Sequence, residues 1–307
     1  MTTIQQPTFE NRTTPWHGIG TVVLDTQSAQ EAIERAGLDW EVEKREVCVD
    51  GEPLKHKVAL CRSTDNEFYE IVSPSYNVLQ NKTAFKIADE IIRIADEEVH
   101  YETAGSLFNG KKVFLTCEFG NEMKVVGDPF KTYLLLSNTH NGRSAVHMAI
   151  TPVRVACWNT IQVALSRAQA HYAVPHYSTM EERVAYATAA LRKTHEYMAL
   201  FGEFGARAAE KHVSPAEVEA LVEKLFPERP ECGERHIKYR QSRIDIFERC
   251  LKAPDLTQFK GTAWGIINAI SDYETHFAGR NRQRILSTIL SQEGAMYKQA
   301  LEFLTTL

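Results

Sequence analysis

The chain has 307 residues with 43% hydrophobic and 24% charged side chains, a composition that is ordinary for a globular protein and excludes wholesale disorder. Its formal net charge of -5 excludes a molecule that attracts polyanions over its whole surface, so any nucleic-acid contact has to be a local patch. No apolar run approaches the roughly 18 residues of a membrane span, and no basic-then-apolar signal segment is present. We therefore expect a soluble cytoplasmic protein whose six cysteines are free and mostly buried.

The first elements in chain order are a polar arm, a short helix and a β-hairpin. The arm covers 1–27 and contains Trp16, which is either part of the core or an anchor. We favour an anchor that packs on the protein's own body or on a neighbouring subunit. A capping box that begins at Ser28 predicts a helix, and partial alternation over 40–50 before Asp50-Gly51 predicts a hairpin.

A helix and two further hairpins are predicted next. Asn81 is typical of an N-cap for a helix over 82–96. Turn sequences at 109–110 and 139–142 each lie between runs that are typical of β-strands. The dipeptide Thr151-Pro152 is expected to end the sheet, and helical spacing predicts a helix over about 155–170.

From residue 178 onward the pattern is helical, and a proline after Ser214 suits the first position of a helix. Helices are predicted over about 234–251, 262–277 and 282–305. These elements predict an α+β fold, with antiparallel hairpins packed against helices in the first half and an all-helical second half. We divide the chain into an arm over 1–27, an α+β domain over 28–177 and a helical domain over 178–307, with a core shared by the two halves as the alternative.

The middle of the chain contains no acidic residue between Pro129 and Met180, although composition alone would put roughly seven there. Burial is one explanation, because protein interiors exclude acids, but they exclude bases too. The segment contains Lys131, Arg143, Arg154 and Arg167. A surface that holds bases and avoids acids suits a phosphate backbone, so we favour nucleic-acid contact. An acidic small-molecule or protein ligand is a further alternative.

The predicted contacts combine this segment with two basic clusters at 235–243 and 280–284, which would extend a groove unless they are solvated helix faces. Amide and imidazole groups at the hairpin tip would donate to phosphates, and a tryptophan would stack on bases. The predicted nucleic-acid-binding residues are Lys131, Asn138, His140, Asn141, Arg143, Arg154, Trp158, Arg167, Arg240, Arg243, Arg280, Arg282 and Arg284.

Signatures of common enzymes are absent from the sequence: there is no phosphate-binding loop of the Walker type, no G-x-S-x-G and no H-E-x-x-H. His140 and His147 lie on the two sides of a predicted hairpin and could converge on a metal ion. Asp272 and His276 share one helix face, with Glu274 nearby. We nevertheless predict no catalytic residue, no metal site and no cofactor, and keep a metal-dependent nuclease or phosphodiesterase as the alternative.

Several segments resemble the phage/plasmid-like proteins grouped as domain of unknown function 932. They are PWHGIG, GLDWEVEKREV, YEIVSPSYNVLQN, SNTHNGRSAVHMAITPVRVACWNT and GTAWGIINAISDYETH. The resemblance implies a mobile-element origin and brings no established catalytic residue. The order of hairpins and helices is also similar to single-strand annealing proteins of the RecT and Red-beta kind, which is an analogy of architecture without a shared motif.

The prediction is therefore a protein that binds single-stranded DNA or RNA and acts as an oligomer in annealing or recombination. Annealing needs no nucleotide and no catalytic group, only a groove that neutralises phosphates and leaves base edges free. Besides the nuclease, the remaining alternative is a protein that binds a host factor through the arm and the helical half.

Overall fold

A computed structural model describes residues 16–17, 19–142, 145–155, 159–160, 171–175, 180–278, 283, 286 and 295–306. The strands are β1 Thr21–Val22, β2 Val42–Val49, β3 Glu52–Arg62, β4 Phe68–Val72, β5 Val99–Leu107, β6 Lys112–Val125, β7 Asp128–Thr139, β8 Ala145–Arg154, β9 Asn159–Thr160 and β10 His171–Pro175. The helices are α1 Ala29–Arg35, α2 Asn81–Ala84, α3 Lys86–Ile94, α4 Met180–Glu210, α5 Pro215–Leu225, α6 Gly233–Leu251, α7 Ala263–Asp272 and α8 Ala295–Thr306. These elements confirm the α+β class.

The strands form two antiparallel sheets. The larger has the order β1-β5-β6-β7-β8-β10, with β9 paired to β8, and the smaller has the order β2-β3-β4. In β7, Leu134 and Leu136 pack in the main core, while Leu135 between them packs in a second apolar cluster on the other face. Both faces of this part of the strand are therefore buried, which explains the continuous apolar run over 133–136 and the lack of acids within it.

The helical half packs on the face of the larger sheet that carries Leu134. Phe130 of β7 lies with its ring centroid 5.2 Å from that of Phe201 in α4 and 5.9 Å from that of Trp264 in α7. One continuous cluster of buried apolar side chains includes residues of both halves. None of the described helices is both long and apolar enough to cross a membrane.

Trp16 of the arm is fully buried in the second apolar cluster, against Tyr133. Its Nε1 donates to Glu102 Oε2 over 2.6 Å, His17 donates to Oε1 of the same carboxylate, and Thr116 Oγ1 donates to Oε2 over 2.8 Å. Burial by itself would raise the pKa of Glu102, but the interactions with His17, Thr103 and Thr116 outweigh it and hold the pKa below its ordinary value. Trp16 therefore anchors on the protein's own body and forms part of its core.

Three local signals are confirmed, one at the Asp50-Gly51 turn and two at the helix starts that follow Ser28 and Ser214. Asp50 and Gly51 both have positive φ, at 52° and 86°, as a type I′ hairpin turn requires. Ser28 Oγ accepts from the backbone of Glu31, and Ser214 forms a complete capping box with Glu217.

Three local predictions are wrong. Pro152 does not end the sheet, because it lies within β8 opposite Thr132 of β7. The helix expected over 155–170 is contradicted where it can be compared, because 159–160 is a strand, and 161–170 lies outside the described residues. Asn81 is the first residue of α2 and not its cap, since its side chain bonds Leu38 and His140.

All of the described cysteines are free thiols. Cys61, Cys117 and Cys250 are buried free thiols as expected, whereas Cys48 and Cys232 are free but exposed. Cys157 lies outside the described residues.

Candidate nucleic-acid interface

Lys131 lies on β7 and forms an ion pair with Glu118 of β6. Tyr133 donates to the second oxygen of the same carboxylate over 2.6 Å, and burial together with this bond raises the pKa of its hydroxyl. The Lys131 side chain is partly exposed, but its charge is already compensated. This ion pair joins β6 to β7 and leaves little uncompensated positive charge on Lys131 for a phosphate.

Arg154, at the end of β8, is only 1% exposed. Its Nε and Nη2 donate to the two carboxylate oxygens of Asp128, each over 2.9 Å, and Nη2 also donates to the backbone oxygen of Asp255 over 2.7 Å. Nη1 forms an ion pair with the Asp255 carboxylate. The positive charge of Arg154 is therefore compensated by two acids that lie outside the acid-free segment, Asp128 and Asp255. This corrects the prediction that Arg154 contacts nucleic acid, because its guanidinium forms buried, structural ion pairs.

Two residues on the β7 side of the β7–β8 hairpin, Asn138 and His140, are held inside the protein. Asn138 Nδ2 donates to the backbone oxygen of Leu79 over 3.1 Å, and His140 Nε2 donates to Asn81 Oδ1 over 3.0 Å. Asn138 and His140 are both buried, and Asn141 is half-buried. The two buried side chains join the hairpin tip to α2 and are not presented to a phosphate, which corrects their predicted role.

His140 lies in an aromatic surrounding between the two sheets. Its ring stacks on Tyr69 at a centroid distance of 5.5 Å and meets the edge of Trp40 at 5.5 Å. Burial lowers the pKa of His140 from 6.5 to about 4, so the imidazole is neutral at physiological pH. The neutral, buried ring of His140 therefore connects the larger sheet to the smaller one through its packing on Tyr69.

This burial predicts an acid-dependent loss of stability. In the unfolded chain His140 binds a proton near pH 6.5, but in the folded chain only near pH 4. Between these values the unfolded state holds more protons, so stability falls as pH falls, by about 3 kcal/mol in all. We expect His140→Gln to remove this part of the pH dependence in urea unfolding measured from pH 7 to pH 4. The exposed His56→Gln is the matched control, and equal pH dependence of the two variants would contradict the prediction.

The other predicted contacts divide into two groups. Arg240 Nε donates to the backbone oxygen of Phe226 over 2.6 Å and pairs with Glu223, and Arg243 Nε donates to Tyr273 Oη over 2.9 Å. Both therefore tie α6 to its neighbours. The second group lies outside the described residues and comprises Arg143, Trp158, Arg167, Arg280, Arg282 and Arg284. Their proposed contacts stay predictions.

The residues weighed for metal or acid–base chemistry are only partly brought together. His276 Nε2 lies 4.0 Å from Asp272 Oδ1, and both side chains are buried, as the shared helix face predicts. Glu274 instead accepts from the backbone of Met296 over 3.0 Å. His147 lies in β8 opposite Ser137. Within the described part of the chain, no group of three or more His, Cys, Asp or Glu is placed to hold a metal ion.

One face of α7 and of the turn of π-helix that follows it is polar although it is buried. Its members are Asn268, Ser271, Asp272, Thr275 and His276. The same helix contacts β9, so Asn159–Thr160 at the end of the segment CWNT lies near the segment containing ISDYETH. Two of the segments that carry the family resemblance thus meet in the fold.

The most exposed regular structure in the described residues is the hairpin of β2 and β3. From 43 to 57 its residues are exposed, apart from the half-buried Val47. The register explains why: Glu46 pairs with Val58 but Cys48 pairs with Pro53, so Leu54–Lys57 lie opposite Val47 alone. Such a bulge breaks the ladder and turns side chains outward. We call residues 43–57 the bulged hairpin.

The bulged hairpin carries four lysines and arginines and four acids, unevenly placed. Arg45 pairs with Glu43, and Lys44 Nζ donates to the backbone oxygen of Pro74 over 2.6 Å. The bulge itself contains no acid, and among the described residues no ion pair involves Lys55 or Lys57. Lys55 and Lys57 therefore carry positive charge that no ion pair within the described part of the chain compensates, and both lie on the bulge.

Apolar side chains accompany this charge. Val49 and Leu54 are 54% and 41% exposed near the turn, and Phe68 and Ile71 are exposed on β4 at the base of the hairpin. Ile71 pairs with Ala59 and Ala59 with Arg45, so these three side chains share one face of the small sheet. Cationic groups beside apolar and aromatic groups can contact phosphates and bases together.

The sequence predicted this hairpin but not its exposure. The sequence signal for this exposure is the acid-free run Leu-Lys-His-Lys at 54–57. In this run three polar residues follow Leu54, so apolar and polar positions do not alternate. Such a run does not fit a strand with one buried face, and it therefore indicates an irregular, exposed stretch.

The fold is thus an α+β protein of two antiparallel sheets with an exposed basic hairpin and buried polar joints between its elements. The chain belongs to the family described as a domain of unknown function (DUF932), whose sequence model matches residues 69–299. This confirms the family resemblance. The match includes the joint at His140 and the polar face of α7, whereas β2 and β3 precede it. No curated protein and no solved structure matches the chain.

Proposed function

We propose that the chain binds single-stranded nucleic acid without a nucleotide cofactor. We further propose that it acts as an oligomer in annealing or recombination, in the cytoplasm and on behalf of a phage or plasmid. The observation that carries the proposal is the bulged hairpin, which exposes uncompensated lysines beside apolar side chains. The likeness to RecT and Red-beta proteins supports the process but not the site, because it concerns the order of elements alone.

The chemistry of the bulged hairpin favours a single strand over a duplex. Lys55 and Lys57 can neutralise phosphates, which a duplex and a single strand both offer. Val49 and Leu54, by contrast, need an apolar partner, and a single strand exposes the faces of its bases whereas a duplex stacks them away. Since the whole chain has a net charge of -5, attraction to a polyanion has to come from such a local arrangement.

The experiment is a titration of a labelled oligothymidylate, followed by fluorescence anisotropy at several salt concentrations. We expect the Lys55→Glu/Lys57→Glu variant to bind at least tenfold more weakly, because two phosphate contacts become repulsive. The slope of log affinity against log salt should become shallower by about one to two, since binding releases fewer counterions when two phosphate contacts are lost. The change is confined to exposed residues, so the unfolding midpoint should not move.

The matched control is Lys260→Glu/Lys298→Glu, which makes the same change of charge on two exposed lysines of the helical half. Equal binding by the two variants would contradict the proposed site. The variant Arg143→Glu/Arg167→Glu should be titrated in the same way, because the nucleic-acid contacts of these two arginines are also still predictions. Cleavage of the oligonucleotide with Mg²⁺, Mn²⁺ or Zn²⁺ that His276→Ala abolishes would favour the nuclease instead.

A further inference from the structure

The turn end of the bulged hairpin has a composition that phosphate binding leaves unexplained. Val49 directly precedes the type I′ turn at Asp50 and Gly51, Leu54 is the first residue of the bulge, and their side chains are 54% and 41% exposed. Exposed apolar side chains are unfavourable in water unless a partner covers them. We propose that Val49 and Leu54 form a wedge that contacts the bases of a single strand held by the lysines. This inference rests on the proposed function and assigns a separate role to the tip.

The rigidity of the turn favours a wedge. Both central residues have the positive φ that matches the twist of the flanking strands, so the turn does not splay them. Cys48 and Val49 remain paired with Pro53 and Glu52 beyond the bulge. Val49 is therefore carried by paired backbone and Leu54 directly follows the paired Pro53, so inserting the two side chains between bases costs little extra ordering of the protein.

The distribution of charge favours bases as the partner of the tip. Asp50 and Glu52 lie at the turn itself, where they repel a phosphate backbone, while Lys55 and Lys57 lie on the adjoining bulge. A single strand held along the bulge would thus keep its phosphates away from the turn and direct bases toward Val49. Apolar wedges that unstack bases are a known means of contact between proteins and nucleic acids.

The test uses an oligothymidylate that contains one 2-aminopurine between two adenines, whose fluorescence rises when the base is unstacked. We expect the full-length wild-type chain to raise this fluorescence. The variant Val49→Ser/Leu54→Ser should lose most of that rise and bind roughly tenfold more weakly, with an unchanged salt slope because the phosphate contacts persist. The control Val22→Ser/Leu24→Ser alters two similarly exposed apolar residues, one in the edge strand β1 and one just after it, and should behave like the wild type.

Each other outcome has a definite meaning. A wedge variant with wild-type fluorescence and affinity would overturn the inference and leave the proposed function standing. A wedge variant that changes the particle size in sedimentation without changing the fluorescence would also overturn it, because the tip would then bind another copy of the chain. If the wild type binds no single strand at all, the proposed function itself fails.

Discussion

Replacement of Arg154 by methionine is expected to destabilise the fold by about 3–5 kcal/mol, because it removes the cation from a buried ion pair and leaves charged partners behind. Asp128 is itself buried and receives two of its hydrogen bonds from this guanidinium. Equilibrium unfolding in urea at pH 7 measures the change. The exposed Arg192, which lies 3.9 Å from Glu196, is the matched control, and its substitution by methionine should cost less than 1 kcal/mol.

A second variant identifies the source of the loss. Adding Asp128→Asn to Arg154→Met removes one of the uncompensated charges, so part of the stability should return. If Arg154→Met instead leaves stability unchanged but weakens binding to single strands, Arg154 contacts nucleic acid and its assignment as a structural ion pair is wrong. Because the loss of fold also removes binding, stability has to be measured before any binding defect of this variant is interpreted.

The variant Trp16→Ala is expected to cost about 3–5 kcal/mol, as is usual when a buried tryptophan is truncated. The indole fills the second apolar cluster against Tyr133, and its Nε1 is a donor to the buried carboxylate of Glu102. The measurement is again the unfolding midpoint in urea, together with proteolysis of the arm. We expect the arm of the variant to be cut faster than that of the wild type.

The control for this prediction is Trp16→Phe, which keeps a ring in the cluster but removes the N–H group. It should cost about 1–3 kcal/mol, the usual penalty for a buried acceptor that loses its donor. Wild-type stability of Trp16→Ala would show that the arm is not part of the core. In that case Trp16 would again be available as an anchor for a neighbouring subunit or a host factor.

Local sequence signals predicted the turns and helix starts because their causes are local. A turn such as Asp50-Gly51 depends on the backbone conformations that its own two residues tolerate, and the capping box at Ser214 depends on contacts over three residues. Asn81 shows the limit of this reasoning. Its side chain is equally able to cap a helix or to bond a distant partner, and here His140, 59 positions away, and Leu38 take it.

The acid-free segment shows why a candidate site is harder to predict than a fold class. Its lack of acids was interpreted as a surface for phosphates, but the run over 133–136 of β7 is buried on both faces, and burial also disfavours acids. Its cations then need partners, and these come from other elements: Glu118 for Lys131, and Asp128 with Asp255 for Arg154. Sequence composition within one window contains no information about acids that the fold brings in from outside it.

The amino-acid sequence by itself determined the class of fold, the hairpins at 50–51 and 109–110, and the family, since each depends on short-range chemistry or on motifs read along the chain. Only the tertiary structure decided which charged and polar groups are free. It buried Arg154, Asn138 and His140, and it exposed Lys55 and Lys57 through a bulge. The physical reason is that compensation of charge and exposure to solvent are properties of neighbours in space, which the order of residues does not specify.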